Sequence, residues 1–351
     1  MFSHRVFLPM VLLFGVGVGM QVSAAPPVPS AASAPTPSLA VLKQQAATGD
    51  AKAEVALGQR LVKSKDPADK ARAVALFRKA VAQGSTDAEW ELGAAYFVGA
   101  GVTRDVPTGL DWMHKSLSDG SGIHMFEYGV MLQMAGGSQQ ETLKWIRKSA
   151  EAGSWPGMMF LAMAEQKKDP ADARRWMLKA AQAGNPLPQM LLGWGYILGK
   201  GMFESPNVNV GLHWLLQAAQ QGYAPAEGEL GLLLITGEHH VSKNPVEGVQ
   251  WAEKAAVQHN AYGYYALGYA YQLGNGEPVN PAKAWYNFAA AQRLDTNHDL
   301  DKVGENMSLV ATELSPAQIQ KLQTEVAQIP VPKKKAGRVN QDGNFNPGDK
   351  K

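Results

Sequence analysis

The stretch Asp87–Gly120, DAEWELGAAYFVGAGVTRDVPTGLDWMHKSLSDG, decides the fold. From Ala88, the residues Leu92, Gly93 and Tyr96 recur at spacings of three to four, the period of one helical face. Gly99 and Gly101 break that helix, and Asp105 with Pro107 starts another. An aspartate there offers its carboxylate to the free N–H groups of a first turn, and proline has no N–H to lose. Leu110, Trp112 and Met113 give the second helix an apolar face, and Gly120 ends it as a left-handed cap would. No sustained apolar–polar alternation supports a strand.

The hairpin recurs along the chain. A small-residue step falls at Gly58, Gly93, Gly129, Ala162, Gly193, Gly231 and Gly268. A second landmark follows each step, at Leu76, Trp112, Trp145, Trp176, Trp214, Trp251 and Trp285, at intervals of 31 to 38 residues. Lys stands three residues after the landmark in five of the seven cases (Lys79, Lys115, Lys148, Lys179 and Lys254), and Gly stands eight after it in five. One such hairpin cannot bury both its faces, so neighbours must stack. The landmark Trp residues are expected in the core. The pattern predicts an all-α solenoid of about seven helix-turn-helix repeats over residues 38–293. Helices over residues 294–329 are expected to cap it, with Ser315-Pro316 as a helix start.

The ends read differently. Residues 1–25 have a weakly basic start (His4, Arg5), an apolar run from Val6 to Met20 and the small residues Val22-Ser23-Ala24-Ala25. This is the pattern of a cleavable secretory signal, which places the mature chain in the periplasm. Residues 26–37 form a Pro/Ala/Ser-rich linker, and residues 330–351 a polar, basic tail expected to be disordered. The chain of 351 residues is 45% hydrophobic, carries a formal charge of +2 and has no cysteine. Near-neutrality gives no reason to expect nucleic acid, and without Cys there is no disulfide, thiolate nucleophile or Cys-held metal. No stretch after the signal has transmembrane length, so no stable membrane span is expected.

Residues that suggest chemistry do not combine into a catalytic, cofactor or metal site. His239 and His240 are adjacent, unlike an i, i+4 ligand pair, and read as a solvated loop pair. His114, His124, His213 and His259 lie in different repeats. Asp295-Thr-Asn297-His-Asp299 begins like a calcium loop, but Leu300 replaces its glycine and Asn306 its closing glutamate. Gly99-Ala-Gly101 belongs to the repeat and is not a phosphate cradle.

The string carried by Ala88, Leu92, Gly93, Tyr96, Gly99, Gly101, Val102, Asp105, Trp112, Lys115 and Gly120 resembles the Sel1-like repeat, a relative of the tetratricopeptide repeat. The resemblance covers residues 40–293, with shortened loops around Ala135–Glu141 and Gln166–Asp169. It implies a right-handed superhelical solenoid, with a concave groove lined by the side of each first helix opposite its packing face. Counting each first helix from the place of Ala88 as zero, positions 2 and 6 lie about 200° and 240° around the helix. They read Val55/Gln59, Trp90/Ala94, Phe126/Val130, Met159/Met163, Met190/Trp194, Gly228/Leu232 and Tyr265/Tyr269. The partner-binding residues expected from this stripe are Trp90, Phe126, Met159, Met163, Met190, Trp194, Tyr265 and Tyr269. The competing reading is that a tightly wound superhelix packs the same stripe against itself.

The resemblance further implies a non-enzymatic protein-interaction module. The favoured role is an inhibitor or immunity protein that neutralises a secreted toxin or effector such as a phospholipase. The alternatives are a scaffold or regulator of envelope or polysaccharide machinery, and a cell-wall carbohydrate-binding or modifying protein.

Overall fold

The computed structural model describes residues 37–296, 300 and 302–331, with the backbone of Arg338–Val339 and Phe345–Asn346. The expected signal and most of the expected linker and tail lie outside the described residues, as do Asn297–Asp299 of the calcium-like turn. The described residues divide into two compact bodies, 37–183 and 184–331. The first holds α1 (Leu39–Ala47), α2 (Ala51–Leu61), α3 (Pro67–Ala82), α4 (Thr86–Val98), α5 (Val106–Ser116), α6 (Gly122–Met134), α7 (Gln139–Glu151), α8 (Trp155–Glu165) and α9 (Pro170–Gln182). The second holds α10 (Pro186–Leu198), α11 (Val208–Gln220), α12 (Ala224–Thr236), α13 (Pro245–Val257), α14 (Ala261–Leu273), α15 (Pro281–Leu294), α16 (Val303–Ala311) and α17 (Pro316–Ala327). The chain is an all-α repeat solenoid of helical hairpins, α2/α3 through α14/α15. The backbone of Arg338–Val339 pairs antiparallel with that of Phe345–Asn346.

Helix boundaries follow the punctuation in the sequence. Asp105 accepts from the Thr108 N–H at the start of α5, and Pro107 occupies its first turn. Ser315 and Gln318 close a reciprocal capping box at the start of α17. The first glycine of the G-x-G step ends α4, α10 and α14 in the left-handed conformation.

The two helices of a hairpin cross where a side chain is missing. A Cβ on Gly93 would lie 2.7 Å from the Gly109 carbonyl oxygen and 2.7 Å from Met113 Cγ. Gly193/Gly211 and Gly231/Gly248 make the same backbone-to-backbone approach. At five of the six step glycines the residue pressed against the crossing follows the landmark by one place; at the sixth, Gly268 meets Phe288, three places after Trp285. Phe77, Met113, Ile146, Leu215 and Ala252 are all 0% exposed, and Met177 is 2%. This corrects the expectation that every landmark Trp is core. Trp145, Trp176 and Trp285 are buried, but Trp112, Trp214 and Trp251 are half-buried. An indole is too large for the glycine crossing and lies beside it. There the recurrent Lys covers it, with Nζ 4.2 Å from the Trp112 ring, 4.1 Å from Trp145, 4.7 Å from Trp176 and 3.9 Å from Trp251.

The second glycine of the step joins one hairpin to the previous one. Gly101 has φ +76°, and a Cβ there would sit 2.3 Å from the Lys70 carbonyl oxygen in the first turn of α3. Gly84 has φ +81°, and a Cβ there would meet nothing within 4 Å. Gly84→Ala should therefore cost only the left-handed penalty, about 1 kcal/mol. Gly101→Ala should cost about 3 kcal/mol, because the backbone contact must also open. Urea unfolding of the two variants measures the difference, and equal losses would rule out the glycine contact as the joint between hairpins.

Candidate functional site

The face expected to carry the partner-binding residues is built by consecutive first helices lying side by side. Position 2 points into the seam between them rather than to solvent. Trp90 stacks on the His124 ring of the next first helix, centroids 4.8 Å apart and planes 5° apart. The Phe126 ring meets Phe160 edge-on at 6.3 Å. Trp90 is 8% exposed, Phe126 1%, Met159 0% and Tyr265 6%. These four side chains are core, which corrects the reading of them as an exposed contact surface. Met190, at the same position, is half-buried.

Position 6 behaves differently. Gln59, Ala94, Val130, Met163, Trp194, Leu232 and Tyr269 are half-buried in every repeat. Of the expected residues, Met163, Met190, Trp194 and Tyr269 thus keep accessible surface. Tyr269 is engaged from within the chain: Asn306 Nδ2 of α16 donates to its hydroxyl at 3.0 Å, and the Tyr265 hydroxyl lies 3.2 Å away. The capping helix, with Val303 and Val310 buried, packs in the same apolar cluster as Tyr265 and Phe288. His239 is half-buried rather than fully solvated, its ring edge-on to Trp194 at 5.7 Å.

A polar relation missed in the sequence runs between position 6 of one repeat and position 3 of the next. Gln59 Nε2 donates to Glu91 Oε1 at 2.8 Å. Trp194 Nε1 donates to Glu229 Oε2. Where the acceptor is absent the pair is apolar, as with Val130 and Phe160 or Leu232 and Ala266. One pair is mismatched. Glu127 occupies position 3 of the third repeat, and position 6 of the second is Ala94, which has no donor to offer. Burial pushes the Glu127 carboxyl up to about 7, with the charge of Glu91 adding to the effect. Burial also raises Glu91, partly offset by the Gln59 hydrogen bond and the charge of Lys63. Burial lowers the His124 imidazole despite Asp119, whose carboxylate is 3.6 Å from Nδ1.

A second missed relation ties the two helices of a hairpin. A Gln seven residues after the landmark donates to position 1 of its own first helix. Gln83 reaches Glu54 at 2.8 Å, Gln221 reaches Gln189 at 2.6 Å, and Gln258 reaches Glu227 at 2.7 Å. The signal was present, since Gln at that place coincides with a polar position 1 in three repeats. Among the described residues no group of three or more His, Asp or Glu is placed to hold a metal ion. No helix among them is long and apolar enough to cross a membrane.

Stacked helical hairpins crossing at glycine, with apolar seams between successive first helices, define a helical repeat protein of the protein-interaction type. The Sel1 repeat profile matches residues 51–85, 86–121, 122–154, 157–185, 189–223, 224–259 and 261–293, and the chain belongs to this family. The fold is similar to c5321, a protective antigen of uropathogenic Escherichia coli with an SLR fold. That match has TM-score 0.61 and 25% identity, covering 83% of this chain and 63% of that one. It is also similar to a Sel1 repeat protein from Oxalobacter formigenes, with TM-score 0.57 and 23% identity, covering 84% of this chain and 91% of that one. Chitin synthase regulatory factor 3 of Schizosaccharomyces pombe is 25% identical over 229 residues, 64% of this chain. The chain spans only 22% of that relative's length.

Truncation separates core from surface at this face. Phe126→Ala should cost about 3–5 kcal/mol, as for a fully buried aromatic, whereas Met163→Ala should cost about 1 kcal/mol. Denaturant midpoints measure both, and a Phe126→Ala protein as stable as the parent would return that ring to the surface.

Glu127 gives a pH signature. Its folded value of about 7 lies above the ordinary carboxylate value of 4.5, so the folded state holds the extra proton between those values. Its contribution is therefore fully present below about 4.5 and is lost as pH rises through about 7. The melting temperature of Glu127→Gln should gain on the parent from pH 5 to pH 8. Parallel profiles would show that this carboxyl titrates normally.

Proposed function

We propose that this chain is a non-enzymatic module that binds a protein partner along the position-3 and position-6 row of its first helices. In the body 37–183 that row presents Glu91, Ala94, Glu127, Val130 and Met163. In the body 184–331 it presents Trp194 and Leu232. Membership of the Sel1 repeat family supports protein interaction as the activity. The observation that carries the location is Glu127. A half-buried carboxyl without a protein donor costs stability, and such groups concentrate where a ligand supplies the missing partner. A Lys or Arg side chain of the partner would supply it, with the adjoining Val130 and Met163 taking an apolar neighbour. Met adapts its shape to such a surface, and half-buried Trp is a favoured anchor.

The finer reading is a periplasmic inhibitor or immunity protein that holds a secreted toxin or effector inactive. The signal-like residues 1–25 support export, and a row with one unsatisfied acidic place suits capture of a single basic segment. A regulator of envelope or polysaccharide machinery is the second reading, supported by the Schizosaccharomyces pombe relative, whose name makes it a chitin synthase regulatory factor.

A photo-crosslinker placed at Met163 or Ala94 tests the row against one at Val257, which is 81% exposed and ends a second helix rather than lying on a first one. Expressed in its own host, the chain should crosslink one envelope or secreted protein from the first two positions and not from Val257. Glu127→Lys should abolish that product. A product equally strong from Val257, or unchanged by Glu127→Lys, would overturn the assignment of the row.

A further inference from the structure

Away from that row, the body 37–183 has an open cleft of about 720 Å3 between α3, the last turn of α4 and the start of α5. Two guanidinium groups line it. Arg78 Nη2 donates to the Tyr96 hydroxyl at 2.9 Å, and Arg104 Nε donates to the Phe97 carbonyl oxygen at 3.1 Å. Each bond fixes one nitrogen and leaves the remaining N–H donors of a five-donor group without a protein acceptor among the described residues.

Arg60 and Arg293 likewise donate to backbone carbonyl oxygens, at Pro37 and at Ala327 and Ile329, whereas three other arginines have a carboxylate. Arg72 pairs with Asp69, Arg175 with Asp172, and Arg147 with Glu165 at 3.2 Å. Arg147 is the counterpart of Arg78, two residues after its landmark, and Glu165 is the counterpart of Tyr96 on the following first helix. The repeat therefore has a carboxylate available at this place, but the cleft has a phenol instead. The one carboxylate lining the cleft is Asp105. Its Oδ1 accepts from the Thr108 N–H at 3.2 Å and its Oδ2 from the Thr108 hydroxyl at 2.7 Å, so it is committed to starting α5. Two guanidiniums against one carboxylate leave a net positive cleft, with Val102 and Val106 as an apolar wall.

We propose that this cleft binds an oxyanion, a carboxylate or phosphate monoester, carried on a small apolar or aromatic group. Arg78 and Arg104 grip the anion in the planar, forked geometry that suits such oxygens. Val102, Val106 and the Tyr96 ring take the apolar part, and the volume is within the range of small-molecule sites. Because each guanidinium is already held by one hydrogen bond, less side-chain freedom is lost on binding.

The test is calorimetric titration of the full chain with phenyl phosphate, benzoate and inorganic phosphate, and with benzyl alcohol as the uncharged control. Saturable binding of phenyl phosphate or benzoate is expected, the stronger of the two identifying the head group. Arg78→Gln and Arg104→Gln should each weaken it at least about ten-fold, and added NaCl should weaken it further. Crosslinking from Met163 should be unchanged in both variants, so this site and the protein-binding row fail independently. The proposal is overturned if none of the three anions binds saturably. It is also overturned if binding survives in a double Arg78→Gln/Arg104→Gln chain with unaltered circular dichroism, or if benzyl alcohol binds as well as benzoate.

Discussion

Everything in the hairpin follows from the close crossing at glycine. With no side chain at Gly93 or Gly109, the two backbones meet at a separation that a methyl group would forbid. At Gly93 that approach fixes which residue of the second helix is swallowed: Met113, 0% exposed, rather than the half-buried landmark Trp112. It also fixes where the Trp lies, at the rim of the crossing, with one face free for the following Lys. Tight burial of Phe77, Met113, Ile146 and Leu215 is worth about 1.5–3 kcal/mol for each side chain. At these four crossings the opposing position is a glycine, and where Ala162 replaces it Met177 is still only 2% exposed, so the step tolerates nothing larger than a small residue.

The same geometry decides the face where successive first helices meet. Side-by-side packing turns position 2 into a seam, so Trp90, Phe126, Met159 and Tyr265 serve cohesion between hairpins. Position 6 is left at the rim, half-covered. A helical-wheel angle of about 200° and one of about 240° differ little on paper. In an array position 2 falls inside the seam and position 6 at its rim, half-covered, where Gln59 and Trp194 still reach the next first helix.

This explains what the sequence made legible. Period, punctuation and small-residue steps are local, and they specified the repeats, the helix ends at Asp105, Gly120 and Ser315, and the family. Residues set by the next repeat were not legible from one hairpin alone. The burial of Phe126 depends on Phe160, and the cover over Tyr269 depends on Asn306 in the capping helix. Lys after Trp was visible as a pattern but had no meaning until the ring and ammonium were seen in contact. His239 stands in the place of the second glycine with φ +54°, and only the fold shows that its ring turns onto Trp194.

Glu127 shows why that distinction bears on function. A carboxyl at position 3 is not itself unusual, since Glu91 and Glu229 occupy the same place and each receives a donor from position 6 of the repeat before. The array thus contains its own control: identical backbone position, identical chemistry and a supplied partner. At Glu127 the donor position is Ala94, and burial with the charge of Glu91 drives the carboxyl up to about 7; burial raises Glu91 as well, with the Gln59 hydrogen bond opposing it. Packing alone gives no reason to keep an acid there, because Phe160 and Ala266 show that the position accepts an apolar side chain without disturbing the seam. An acid that the fold neither needs nor satisfies is what places the proposed contact at this point of the row, because the one chemistry the array leaves unfilled there is a donor or a cation.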